Sequence, residues 1–241
     1  MLKDFQGDVS MNSNDKEKRF LSWRDIIILL ILTLMVIPIV LENVIASFLL
    51  TLIGNEVYAG TITGLIMAIV FLFLTYIFCI KKHRLTWSAI GLRSFNPRFI
   101  WHITLSILII LVFSVLALYT LDFLGIAYQN QRTEDIQHNF SFLTAIVALL
   151  SAVVVSPIYE EIFYRGVLYN FFRTKMGQLW GLIVNATIFT LVHIPHYETL
   201  PMMFAGGIVF AWLYEKSSSI FPAILAHALL NLIGVTLSFL T

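Results

Sequence analysis

Two adjacent glutamates and an arginine, Glu160, Glu161 and Arg165, interrupt a run from Phe140 to Phe172 that is otherwise almost entirely apolar. Charged side chains at the centre of a bilayer cost roughly 2.5–3.5 kcal/mol each on insertion scales. A chain tolerates them there when they face a bundle interior, pair with one another and carry chemistry. Glu161 and Arg165 stand four apart, on one helix face, and can form an ion pair. Glu160 is turned about 100° away and can point elsewhere. This spacing makes Glu161 and Arg165 a structural pair and Glu160 the reactive group. Pro157, just ahead of them, removes a backbone donor and can kink the helix to open space.

Two further runs carry matching polar stripes. Asn185, Phe189 and His193 follow one another at four-residue intervals, as do His227 and Asn231. At 1.5 Å per residue, Glu160 lies roughly 18 Å from the Phe172 end of its run, His193 roughly 24 Å from Gly177 and His227 roughly 10 Å from Ile220. Tilt and boundary shifts bring these depths together, so one shared polar cavity is expected, with the Glu160 carboxylate facing both imidazoles. Such a cavity can activate water. A carboxylate held away from solvent is a usable general base, and a histidine can hold the water or share its proton. A second histidine and an amide can donate to a developing oxyanion. Alternatively, Glu160, His193 and His227 could hold zinc and lower the pKa of bound water. The His-Glu-x-x-His signature of helical zinc peptidases is absent, so a zinc site would have to be assembled from separate helices.

The elements that must position these residues are membrane helices. Of 241 residues, 59% are hydrophobic and 12% charged, and the mean hydropathy is +0.88; soluble domains run nearer a quarter charged. The expected fold is all-α, a polytopic transmembrane bundle of about seven spans with the catalytic core in the last four. The runs are Asp25–Leu52, Tyr58–Ile80, Phe99–Leu121, Phe140–Phe172, Gly177–Ile194, Thr199–Tyr214 and Ile220–Leu240, each near the ~20 residues a span needs. The first, with Pro38 and Glu42 inside it, is long enough to kink, tilt or divide. It lacks a small-residue cleavage site and reads as an anchor, not a signal peptide. Three regions follow: a cytoplasmic tail over 1–22, N-terminal membrane helices over 23–139, and the catalytic membrane core over 140–241.

Lys and Arg fix the orientation. They cluster before the first run, between the second and third, after the fourth and after the sixth, whereas the other side holds only Arg132, in a polar loop over 122–139. An integral membrane protein with its N-terminus in the cytoplasm is expected. A formal net charge of +1 implies no strongly charged partner, and no nucleic-acid motif is present. Cys79 is the only cysteine, which excludes an internal disulfide and a cysteine-based zinc cluster.

Glu160-Glu161-x-x-x-Arg165, Phe189-x-x-x-His193 and His227-x-x-x-Asn231, in that order on separate runs, resemble the three motifs of the CPBP intramembrane proteases. That family comprises type II CAAX prenyl endopeptidases and the Abi-like bacteriocin-processing or immunity proteins. The resemblance covers about Phe140 to Leu240, and Ile90-Gly91-Leu92-Arg93 is similar to a short run often found ahead of the family core. It implies an endopeptidase in which Glu160 activates water with His193, His227 and Asn231 stabilise the oxyanion, and Glu161 and Arg165 support them. It implies a membrane-associated protein or peptide as substrate and a bacterial cell membrane as the location. Asn231 is a poor zinc ligand and a good oxyanion donor, which favours a glutamate mechanism requiring no cofactor, with zinc as the alternative.

Each feature also has a structural reading. The charged trio could lock helix packing, and each histidine alone could be a satisfied polar residue near a helix end. Asn185 suits a bond to a neighbouring helix. His196 reads as solvent-facing, although His193-x-x-His196 has a metal-like spacing. Gly177-x-x-x-Gly181 and Gly206-Gly207 suit close helix packing. Two other functions fit part of the pattern: a non-catalytic bacteriocin-immunity or membrane scaffold protein, and a proton-coupled carrier, for which paired discontinuous helices are missing.

Overall fold

The computed structural model describes residues 21–125, 141–195 and 197–240. Nearly all of the expected tail, most of the 122–139 loop with Arg132, and His196 lie outside the described residues. Among those described, every regular element is a helix. Helix α1 is Trp23–Ile53, α2 is Glu56–Lys82 and α3 is Phe99–Phe123. A 50-residue stretch, Phe142–Leu191, follows. At about 1.5 Å per residue it would be more than twice as long as the ~30 Å hydrocarbon core is thick. Gly177 divides it, with φ 82° and ψ 170°, a conformation that glycine adopts without a Cβ penalty. The two arms are α4 (142–176) and α5 (178–191). A 3₁₀ turn, Tyr197–Thr199, leads to α6, Leu200–Ser217, and then α7, Phe221–Leu240.

These helices overlie all seven apolar runs. Four helical stretches are long and apolar enough to cross a membrane, the divided 142–191 stretch counting as one, so the expectation of about seven crossings is not established by length and composition. The first run is a single helix of 31 residues. It absorbs Pro38 through π-helical turns over Leu32–Val36 and Pro38–Ile45. Wide turns suit a residue with no N–H to offer the ladder. The Asn43 side-chain amide donates to the Pro38 carbonyl at 3.0 Å.

The core is built around α4. From Tyr159 to Phe172 every residue except Asn170 is buried. Phe71 of α2 packs on Tyr159 and Phe163, and Trp23 of α1 packs edge-on against Phe171. At the start of α1, buried Asp25 caps the helix with Ser22 and pairs with Lys82 and, at 2.8 Å, His83 at the end of α2. The Ile90–Arg93 run docks on the turn between α6 and α7: the Ile220 N–H donates to the Gly91 carbonyl at 2.9 Å, and the Ser219 hydroxyl to the Arg93 carbonyl at 2.5 Å. Arg173 of α4 pairs with Glu215 of α6 at 2.5 Å. The basic segments following α2, α4 and α6 thus gather at the end of the bundle where α1 begins, the arrangement that the charge bias requires.

Helices α5 and α6 meet where there is no room for a side chain. A Cβ on Gly207 would sit 2.8 Å from the Ala186 Cα. Gly207→Leu is therefore expected to lower the melting temperature in detergent by several degrees, since overpacking costs about 1–3 kcal/mol. Gly60→Ala, where an added Cβ meets nothing within 4 Å, is expected to hold or raise it. Thermal unfolding of the two variants beside the parent checks this; an unshifted Gly207→Leu would mean that α5 and α6 do not pack at this contact.

Candidate active site

The turn that carries both glutamates is a short α-helical piece, Ser156–Glu161, between π-helical stretches at Leu150–Val155 and Ile162–Tyr169. Pro157 contributes no N–H there, and the wider turns absorb the mismatch within a continuous helix. Adjacent glutamates on a helix point in directions about 100° apart, and they have different partners.

Glu161 faces inward and is fully buried. Its Oε1 accepts from Arg165 Nη1 at 2.9 Å and lies 2.8 Å from His227 Nδ1. The expected intrahelical pair is present, and it reaches across to α7. Arg165 is also fully buried. Its guanidinium carbon lies 4.4 Å from the Phe189 ring centre and 5.2 Å from that of Phe210. Both rings offer their π-faces to the cation. Nη2 adds a long contact of 3.5 Å to the Gly207 carbonyl. His227 lies nearly parallel to Phe210, with ring centres 5.0 Å apart and planes at 16°. Helices α4, α5, α6 and α7 therefore meet at one cluster of Glu161, Arg165, Phe189, Phe210 and His227.

Glu160 is buried at 9% exposure. Its Oε1 accepts a hydrogen bond from the Ser156 hydroxyl one turn earlier. Its Oε2 is buried without a partner, as are Glu161 Oε2 and Arg165 Nε. The carboxylate hydrogen-bonded to His227 is that of Glu161, a partner the sequence reading assigned only to Arg165. Spacing alone gives the two directions of the glutamates and cannot say which of them meets α7.

His193 lies just past the end of α5, with Nδ1 2.6 Å from the Phe189 carbonyl. A carbonyl only accepts, so the proton sits on Nδ1 and Nε2 becomes the basic nitrogen. The carboxylate on His227 Nδ1 fixes that ring in the same sense. The Phe189 ring touches both imidazoles, with centres at 4.9 Å from His193 and 6.1 Å from His227. Asn231 donates from Nδ2 to the Ala152 carbonyl at 2.7 Å. A side-chain amide nitrogen carries two hydrogens, so a second donor remains for an oxyanion. Asn185 is fully buried and donates to the Tyr164 carbonyl at 2.8 Å. That bond fastens α5 to α4.

Among the described residues, no three His, Cys, Asp or Glu side chains are grouped so as to hold a metal ion. The alternative set Glu160, His193 and His227 is not among such groups. Two participants have no place in the sequence reading. Ser156 stands four before Glu160, a spacing that marks a shared helix face. Phe210 has no such signal, since an aromatic in an apolar run is unremarkable.

Residues 142–233 match the family model described as Rce1-like, type II CAAX prenyl endopeptidase. The chain is 27% identical over 107 residues to the "Putative membrane peptidase YdiL" of Bacillus subtilis (strain 168), covering 44% of this chain and 43% of that protein. It is 30% identical over 97 residues to the UPF0177 protein YbdI of Lactococcus lactis subsp. lactis (strain IL1403), covering 38% of this chain and 49% of that protein. The UPF0177 protein YaiH of the same strain is 24% identical over 131 residues, 52% of this chain and 54% of that protein. The chain thus spans about half the length of the curated relatives it matches. No solved structure matches it. All three motifs fall inside the matched span, residues 142–233, which is similar to the Rce1-like, type II CAAX prenyl endopeptidases.

Proposed function

We propose that the chain is an intramembrane endopeptidase that hydrolyses a peptide bond of a membrane-associated protein or peptide. The observation that carries this reading is the buried, unpartnered Oε2 of Glu160, a carboxylate oxygen with its lone pairs uncommitted inside a family-matched polar cluster. Such an oxygen is a general base in want of a proton donor.

In this reading Glu160 Oε2 takes a proton from water, with His193 Nε2 accepting the water's second hydrogen bond. The hydroxide attacks the scissile carbonyl. The oxyanion is stabilised by Asn231 and by His227, which donates from Nε2 only as an imidazolium, because its Nδ1 is directed at Glu161. Glu161 balances that charge while holding Arg165. Glu160 then returns its proton to the leaving amine, so base and acid are one residue. Asp25, Cys79 and Glu42 take no part. No step passes through a metal.

The protein in proteoliposomes is expected to cleave members of a mixed-sequence library of internally quenched peptides. Glu160→Gln is expected to lose about 10²–10⁴ in rate while keeping its melting temperature. Equal turnover by both proteins, or none by the parent, refutes the reading; a cellular phenotype indifferent to Glu160 would favour the immunity or scaffold alternative. Activity is expected to survive a strong chelator, and loss that zinc restores would overturn the metal-free mechanism. Arg165→Ala is expected to behave unlike Glu160→Gln. It strips a buried carboxylate of its cation, which costs about 3–5 kcal/mol, so melting temperature and activity should fall together. Retained stability would show that Glu161 and Arg165 do not depend on each other.

A further inference from the structure

We infer that Ser156 is the positioning residue of Glu160: its hydroxyl anchors one carboxylate oxygen so that the other is presented to water. The inference rests on the endopeptidase reading.

Serine and threonine inside a helix ordinarily donate back to the carbonyl four residues earlier. This chain does so repeatedly. Ser114 donates to Ile110, Thr120 to Leu116 and Ser217 to Leu213, each at 2.7 Å. Ser156 does the opposite and donates forward, to Glu160 Oε1.

The backbone supplies the reason. In an α-helix the Ser156 N–H would bond to the Ala152 carbonyl. Here it reaches one residue further back, to the Ser151 carbonyl, as the last bond of the π-helical stretch. The Ala152 carbonyl is thereby released from that bond, and Asn231 of α7 takes it at 2.7 Å. Ala152 O is also the acceptor that the Ser156 hydroxyl would ordinarily use. With it engaged by α7, the hydroxyl turns to Glu160. Pro157, which has no N–H, sits at the step where the pattern returns to α. A motif residue on α7, a wide turn and a proline thus cooperate to aim one hydroxyl.

The consequence is positional. A glutamate side chain has three rotatable bonds, and an unanchored carboxylate samples several directions. Fixing Oε1 leaves Oε2 held, buried and unpartnered. Misplacing a reacting group by about 1 Å can cost on the order of a hundredfold in rate.

The test uses the library peptide that the full-length protein in proteoliposomes cleaves fastest. Ser156→Ala is expected to lower kcat about ten- to a hundredfold, with KM and melting temperature unchanged. Ser156→Thr keeps the hydroxyl and is expected to restore kcat. In a Glu160→Gln background, Ser156→Ala should lower the residual rate no further. The inference is overturned if Glu160→Gln is inactive while Ser156→Ala keeps the parent kcat. It is also overturned if Thr is as slow as Ala, or if kcat and melting temperature fall together in both. Full turnover by Glu160→Gln is a different failure, that of the endopeptidase reading itself.

Discussion

A carboxylate and a guanidinium with no exposure to solvent must satisfy each other, and around Glu161 and Arg165 that requirement organises half of the molecule. One oxygen, Glu161 Oε1, faces donors from its own helix and from α7. The cation it balances lies between Phe189 of α5 and Phe210 of α6. Desolvating such a pair costs several kcal/mol per ion before any attraction is counted. The cost is offset only if the geometry is good and the remaining donors find acceptors. Four helices are therefore held in register by electrostatics at a point where apolar contact alone, which lipid offers equally well, would not choose between alternatives. Gly207 joins the same region twice: a Cβ there would meet Ala186 of α5, and its carbonyl faces Arg165 of α4.

The π-helical stretches on either side of Ser156–Glu161 complete that arrangement. Each widens α4 by part of a turn and redirects carbonyls that a regular α-helix would keep for itself. Asn231 uses the Ala152 carbonyl and Asn185 that of Tyr164, so two amides on two helices are bonded to the backbone of α4 on both sides of the glutamates. Such bonds are strongly preferred to an unsatisfied carbonyl in an apolar interior. They position the glutamate turn without contributing any charge to it.

Much of this was legible in the sequence, for identifiable reasons. Hydropathy runs depend on composition, and all seven correspond to helices within a few residues. The Glu161–Arg165 pair follows from four-residue spacing on a helix. The fastening role of Asn185 follows from the need of a buried amide for a partner. The partner of His227 was not legible: adjacent glutamates diverge by about 100°, and only the relative rotation of α4 and α7 decides which of them meets the imidazole. Phe210, which stacks on His227 and lies against Arg165, looks like an ordinary member of an apolar run. The joining of α1 into one helix was hidden for a similar reason. Proline signals a break, but π turns can absorb the missing donor within a continuous helix. The role of Asp25 was hidden as well, since its partners Lys82 and His83 are more than fifty positions away along the chain.

Two consecutive carboxylates invite the idea that they share one function. Their surroundings argue for separation. Glu161 Oε1 is bound to both Arg165 and His227, and the side chain cannot move without releasing them together. Glu160 is bound at Oε1 by the Ser156 hydroxyl and is joined to neither Arg165 nor His227 by a hydrogen bond. A proton-transfer group must accept a charge change of one unit during turnover, and a residue whose negative charge holds four helices together is a poor choice for that. Placing the second carboxylate one residue away would resolve the conflict: the helix turns it toward a different hydrogen-bond partner, Ser156, on the backbone it shares with Glu161. In the endopeptidase proposed here, adjacency in the chain would give the reactive group the rigidity of the structural one.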